Sequence, residues 1–128
     1  MSAPMVLIVE SHPELRRMLE ESLQQRGYEV ASATDAAEAR EWLRRRSADL
    51  LIADPPSDAR EEKRQLEALC REFPRVPSIV VSSDTFDPAI FTPPHEGEAP
   101  RRLLHRPFTL GELLMLTRLL LPKRDGGW

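Results

Sequence analysis

The stretch ADLLIAD, residues 48–54, carries the clearest information about the fold. Its central run, residues 50–53, is apolar at every position, as are residues 5–9, and a third run, residues 78–81, is apolar after Ser78. Continuous rather than alternating apolarity is typical of strands that are buried on both faces, as in a parallel sheet. The three runs therefore predict three inner strands of such a sheet.

Segments with helical periodicity separate these runs. Apolar residues recur every three or four positions within residues 15–23, 36–43, 66–73 and 110–120, which predicts four helices. A short polar residue followed three positions later by Glu is the signature of a helix start. It occurs at Ser11 with Glu14, at Asp35 with Glu38, and at Thr109 with Glu112.

Two further strands complete the pattern. Gly27 suits the end of the first helix and precedes a short strand over residues 28–33, and a last strand is expected over residues 102–105. Alternating strands and helices predict a doubly wound α/β fold, with a mostly parallel sheet and helices on both faces. Four prolines within residues 84–100 predict a loop there, with at most one or two helical turns where a helix would be expected.

Length and charge restrict the class of protein. The 128 residues predict one domain, residues 1–122, followed by a flexible tail, residues 123–128. A net charge of −3 gives no electrostatic attraction to nucleic acid or anionic lipid. No apolar run is long enough to span a bilayer and no signal peptide is evident, so we expect a cytoplasmic protein. The single cysteine, Cys70, falls in an apolar row and is predicted to be a packed thiol.

Polar residues follow the predicted strands, and ligands bind at the carboxyl ends of strands in open parallel sheets. Glu10 follows the first strand, Asp54 the third, Ser82 the fourth and Arg106 the fifth. Two carboxylates favour a bound cation or a raised pKa, while a hydroxyl and a guanidinium can hold a phosphoryl oxygen. No Gly-rich loop follows the first strand, which excludes a dinucleotide fingerprint and a P-loop.

Four segments of the chain carry a resemblance to a known family through their order and spacing. They are VLIVESHPELRRMLEESLQQRGYEV (residues 6–30), ADLLIAD (48–54), PSIVVSS (77–83) and HRPFTLGELL (105–114). Together they resemble the receiver domain of bacterial two-component response regulators over nearly the whole chain. The resemblance implies a flavodoxin-like five-stranded sheet of order 2-1-3-4-5, a role in signal transduction and a histidine kinase or other signalling protein as partner.

The resemblance also implies roles for single residues. Asp54 takes the place of the phosphoacceptor, Glu10 of one member of the acid pair, and Ser82 of the hydroxyl that contacts phosphate. Arg106 stands where the family has lysine, and the family's cis peptide bond falls on Arg106 to Pro107.

A Mg²⁺ site is implied at the same place, with Glu10, Asp54 and the backbone carbonyl of Pro56 as ligands. The second acid of the pair is replaced by Ser11, which we predict to be the cap of the first helix. Mg²⁺ depends on charged oxygen ligands, so we expect it to bind weakly or not at all. Other departures are Arg106, Leu103 in place of an aromatic, PPSDAR over residues 55–60, and the proline-rich segment.

These departures predict an atypical receiver that acts as a protein-binding module, with impaired or absent Mg²⁺-dependent phosphorylation. The alternative is a phosphorylation-competent receiver that accepts a phosphoryl group on Asp54 from a histidine kinase. An enzyme on the same topology is a further rival, but no nucleophile and base pair is evident at the strand ends.

The last helix contains more apolar residues than one buried stripe requires. Either the surplus packs beneath the proline-rich segment, or it forms a surface for a partner or for a homodimer. The residues expected on that surface are Leu103, Met115, Leu116 and Leu119.

Overall fold

A computed structural model describes residues 3–56, 59–82 and 97–121. The predicted tail, residues 123–128, and most of the predicted proline-rich loop, residues 84–100, lie outside this part of the chain. The elements in chain order are β1 (Met5–Glu10), α1 (Pro13–Gln25), β2 (Glu29–Ala33), α2 (Ala36–Arg45), β3 (Leu50–Asp54), α3 (Arg60–Glu72), β4 (Ser78–Ser82), β5 (Arg101–His105) and α4 (Leu110–Leu120).

The five strands form one sheet in the order β2-β1-β3-β4-β5, and every neighbouring pair is parallel. This confirms the predicted doubly wound α/β fold and its strand order. β1 and β3 lie at the centre in a register that pairs Glu10 with Asp54. The carboxyl ends of β1 and β3 therefore meet side by side.

Side chains from the inner strands fill the space on both sides of the sheet. Along β1, Leu7 and Val9 pack with α2 and α3, whereas Val6 and Ile8 pack with α1 and α4. β3 alternates in the same way, with Leu51 on the first side. Continuous apolarity in the sequence thus reflects two separate cores that share the same strands.

The start of α1 differs from the prediction. Ser11 is exposed and does not cap the helix; the N-cap is His12, whose Nδ1 accepts a hydrogen bond from the Leu15 N–H at 3.3 Å. The cause is Pro13, whose fixed φ and missing N–H suit the first helical position and move the cap to the preceding residue. The signature at Ser11 and Glu14 therefore predicts the N-cap of α1 one residue too early, and the prediction of Ser11 as the cap is wrong.

The other two predicted helix starts are confirmed. Asp35 caps α2 by accepting the Glu38 N–H at 2.9 Å. Thr109 and Glu112 form a reciprocal capping box at α4, with distances of 3.1 and 3.0 Å. Gly27 adopts a φ of 90°, as the turn between α1 and β2 requires of a residue without a Cβ.

The third helix is longer than its apolar pattern, because α3 begins at Arg60 with a polar first turn. Cys70 in its last turn is buried as predicted, and burial raises the pKa of the thiol. None of the helices in the described ranges combines the length and apolarity that crossing a membrane would require.

Candidate functional site

The site begins with two buried carboxylates at the ends of the central strands. Glu10 ends β1 and is 4% exposed, and Asp54 ends β3 and is 5% exposed. Each acid is the last residue of its strand and directly follows buried apolar residues of that strand. Burial of two acids on adjacent strands is costly unless a cation, a proton or hydrogen-bond donors compensate their charge.

Arg106 supplies the cation that faces Asp54. Its Nη2 donates to Oδ1 of Asp54 and also to the Pro55 carbonyl, at 2.8 Å. The Arg106 backbone N–H donates to the Ser82 carbonyl at 3.1 Å, which ties the end of β5 to the end of β4. The Arg106 to Pro107 peptide bond is cis, as the resemblance implied.

Glu10 is only partly compensated. Its Oε2 accepts the His12 N–H at 2.9 Å, whereas Oε1 is buried and has no hydrogen-bond partner among the described residues. Burial raises the pKa of Glu10, against the opposing effects of the His12 N–H and of the charges of Arg106 and Arg16. The site therefore holds one acid that is paired with a guanidinium and a second acid whose charged form is disfavoured.

The remaining predicted site residues lie around these acids. Ser82 is fully buried at the end of β4, between the strands that carry Asp54 and Arg106. The Pro56 carbonyl accepts the Ala59 N–H at 3.2 Å, so it already has one hydrogen-bond donor. Ser11 is exposed at the rim.

The carboxylates of Glu10 and Asp54 are the acidic groups that this part of the site could offer to a cation such as Mg²⁺. Mg²⁺ prefers several hard, charged oxygens in octahedral geometry, and here one of two carboxylates is engaged by a guanidinium. Within residues 3–56, 59–82 and 97–121, no three His, Cys, Asp or Glu side chains form a group that could hold a metal ion.

An open cleft of about 530 Å³ lies beside Asp54 and Arg106. Its other walls are Leu15 of α1 together with Pro107 and Phe108 after β5. Sequence reasoning missed Leu15 and Phe108 as parts of the site. Phe108 directly follows the strand-end residues, which is the signal that could have identified it.

The residues predicted to form a partner surface do not share one face. Met115 and Leu119 of α4 are 64% and 71% exposed. Leu116 packs against the core on the α1 and α4 side, and Leu103 of β5 packs against the opposite core. The exposed apolar surface on α4 is therefore narrower than the sequence suggested.

Two buried carboxylates, a buried serine and a cation lie at the carboxyl ends of the strands of this doubly wound sheet, an arrangement typical of receiver-type signalling domains. The model of the response regulator receiver domain matches residues 6–92, and the chain belongs to this family. Its members are signalling modules of two-component systems rather than classical enzymes. No curated protein sequence matches the chain significantly.

Solved structures have the same fold. The signal receiver domain of an HD domain-containing protein from Pseudomonas fluorescens Pf-5 is 27% identical, with a TM-score of 0.68, and the match covers 92% of this chain and 94% of that one. The chemotaxis response regulator CheY4 of Vibrio cholerae is 23% identical, with a TM-score of 0.71, over 94% and 100% of the two chains. The response regulator TrrA from Thermotoga maritima, solved in complex with Mg²⁺ and BeF, is 20% identical, with a TM-score of 0.73, over 92% and 99%.

Proposed function

We propose that this chain is an atypical receiver, which acts in signal transduction by binding proteins and in which Mg²⁺-dependent phosphorylation is impaired or absent. The observation that carries the proposal is the contact between Arg106 and Asp54, reinforced by the hydrogen bond from Arg106 to the Pro55 carbonyl. The guanidinium of Arg106 contacts the Asp54 carboxylate, which both a phosphoryl group and a metal ion would need to bind.

The physical argument concerns competition for one carboxylate. A guanidinium is planar, permanently charged and able to make several hydrogen bonds at once, so it holds Asp54 more firmly than a single ammonium donor would. Mg²⁺ loses hydration water reluctantly and would have to displace this contact with only Glu10 as a second acid. Without the metal, charge that develops on a transferred phosphoryl group is poorly compensated.

The output of such a domain is binding to a histidine kinase or another signalling protein. Met115 and Leu119 supply the exposed apolar contacts on α4, one turn apart, and Arg118 beside them is also exposed. A helix face with neighbouring apolar anchors suits a protein partner. Self-association through this last helix is the alternative use of the same residues.

A titration with Mg²⁺ and beryllofluoride tests the proposal. Calorimetry on the whole chain is expected to give no saturable Mg²⁺ binding at millimolar concentrations, and fluorine NMR no bound beryllofluoride. The matched variant carries Ser11→Asp together with Arg106→Lys, which restores the missing acid and the smaller cation. This variant is expected to bind both ligands, and Asp54→Asn added to it is expected to abolish binding of beryllofluoride. Saturable binding of both ligands by the unaltered chain would refute the proposal.

The alternative is a receiver that accepts a phosphoryl group on Asp54 from a histidine kinase. One observation favours it: Oε1 of Glu10 is buried without a hydrogen-bond partner in the described chain and is an available ligand atom. In that case Ser11 or a water molecule would complete the metal site. The same titration separates the two functions, because only this one predicts binding without substitution.

A further inference from the structure

The outer edge of β2 has main-chain groups that the sheet does not use. β2 is the terminal strand of the sheet, and the Glu29 N–H donates to the Pro4 carbonyl on the β1 side at 2.9 Å. Because successive residues of a strand direct their main-chain groups to opposite sides, those of Val30 and Ser32 face away from β1. No main-chain hydrogen bond from these two residues to another described segment is present outside the sheet.

This edge has little of the usual protection against pairing. Exposed edges are normally blunted by shortness, by charged side chains, especially Lys, by Pro, by a bulge or by a covering segment. β2 reads EVASA, its register with β1 is regular from Glu29 to Ala33, and its last three side chains are small. The only charge on the strand is Glu29, at its beginning.

Helix α2 lies along the same edge and carries a graded stripe of charge. A cleft of about 320 Å³ is lined by residues of this helix, by its C-cap and by Ser32 of β2. The lining residues have acids in the first half of the helix, an aromatic in the middle and arginines at its end. They are Glu38, Glu41, Trp42 and Arg45 of α2 and the C-cap residue Arg46.

The charges of this stripe are complementary to those of a second α2 helix that runs in the opposite direction. A twofold axis perpendicular to the sheet would place two α2 helices antiparallel, so that the acidic half of each faces the basic half of the other. Glu41 and Arg45 are exposed and form no ion pair with any residue in the described ranges. Their charges are therefore available to a second copy. Isologous surfaces of this kind generate closed dimers.

The same twofold axis also allows the β2 strands of two copies to pair. With two β2 strands antiparallel and centred on Ala31, Val30 of each copy lies opposite Ser32 of the other, and these are the residues with outward main-chain groups. Each such pair exchanges two hydrogen bonds, so four main-chain bonds form across the edge. Glu29 falls opposite Ala33 of the second copy, which avoids a like-charge contact.

We propose that β2 and α2 form a self-association surface through which a second copy of this chain adds its β2 antiparallel across the open edge. The occupant is a second copy rather than an unrelated extended peptide, because the charge stripe on α2 matches its own inverse. This surface is separate from the pocket at Asp54 and from the exposed residues of α4, so the proposal does not depend on the function proposed above.

Sedimentation equilibrium of the whole chain tests the proposal with paired charge reversals. Glu41→Arg makes the stripe basic and Arg45→Glu makes it acidic, and each alone is expected to weaken the dimer about tenfold or more because two symmetric contacts become repulsive. An equimolar mixture of the two variants is expected to restore association, since the basic stripe then meets the acidic one. Arg102→Glu, at an exposed position of β5 on the opposite edge of the sheet, is the matched charge-reversal control and is expected to leave the dimer unchanged.

A cross-link checks the register independently of charge. Ala31→Cys would place two thiols opposite each other at a non-hydrogen-bonded pair, with Cα atoms about 4.5 Å apart, a separation that a disulfide spans. Under mild oxidation this variant is expected to become a covalent dimer, whereas Glu29→Cys is not. A chain that stays monomeric at all concentrations, a dimer that is indifferent to both reversals, or equal cross-linking of the two cysteine variants would overturn the proposal.

Discussion

The interior of the sheet and the pocket at its carboxyl end are built from the same strands but obey different rules. In β3, Leu51 and Ile52 are buried in well-packed apolar cores on opposite faces, while Asp54, two residues further on, is equally buried as an acid. The interior follows the pattern expected of a doubly wound sheet throughout. In the pocket, Ser11 and Arg106 are the residues at which we propose that the chain departs from its family.

The interior and the pocket differ in how specific their residues must be. Any well-shaped apolar set can fill a core, so the fold tolerates wide divergence in sequence. A pocket that holds charges needs specific partners, and one lost acid changes what the remaining groups do. Here Arg106 compensates Asp54, while Glu10 remains incompletely compensated.

The largest expected effect lies in the interior. Ile52→Ala removes a fully buried side chain from the core on the α1 and α4 side. We expect the free energy of unfolding to fall by about 3 kcal/mol, from lost transfer energy and a residual cavity. Urea denaturation measures the change. Leu119→Ala, at an exposed position, is the control and should shift stability by less than about 0.5 kcal/mol.

A smaller effect is expected from the ion pair in the pocket. Arg106→Ala leaves the buried Asp54 carboxylate without its cation, and we expect a loss of roughly 1–2 kcal/mol because Arg106 itself is partly exposed. Denaturation of a double-mutant cycle with Asp54→Asn checks the cause. If the two substitutions simply add, the contact contributes nothing and the pocket does not depend on the pair.

The smallest effect should have the opposite sign and depend on pH. Because burial raises the pKa of Glu10, the folded protein binds the Glu10 proton more tightly than the unfolded chain does. Stability from this group is therefore present at acid pH and is lost as pH rises through the folded pKa. Glu10→Gln should stabilise the protein at neutral pH, by less than Arg106→Ala destabilises it.

That gain should disappear toward pH 4, and thermal unfolding across pH measures it. Glu21→Gln, at an exposed position of α1, provides the comparison for a carboxylate without this burial. A constant difference between the Glu10→Gln variant and the unaltered chain at all pH values would contradict the assignment of a raised pKa.

Most of the fold could be predicted because its signals are local. The apolar runs, the Asp35 cap and the Thr109 capping box each depend on residues a few positions apart, and all three are present. The cap of α1 could not be placed correctly, since Ser11 and His12 are both adequate caps and the choice rests on how Pro13 starts the helix.

The candidate site was predictable only in part. The strand-end rule identified Glu10, Asp54, Ser82 and Arg106, because parallel strands bring their carboxyl ends to one edge. It did not reveal that Arg106 also binds the Pro55 carbonyl, or that one carboxylate oxygen of Glu10 has no hydrogen-bond partner in the part of the chain that the structure describes. Contacts between side chains from different strands depend on rotamers and on loop paths, which leave no periodic trace in the sequence.

The amino-acid sequence by itself therefore determined the order of the elements, the two-sided burial of the inner strands and the chemical types gathered at one edge of the sheet. These features follow from local periodicity and from helix capping, which involve residues that are close together in the chain. Only the tertiary structure decided that the guanidinium of Arg106 contacts Asp54 and that Met115 and Leu119 of α4 are exposed. It also decided that β2 is an edge strand of the sheet that the described residues form. The physical reason is that charge pairing and burial depend on distances between segments far apart in the chain, and packing alone sets those distances.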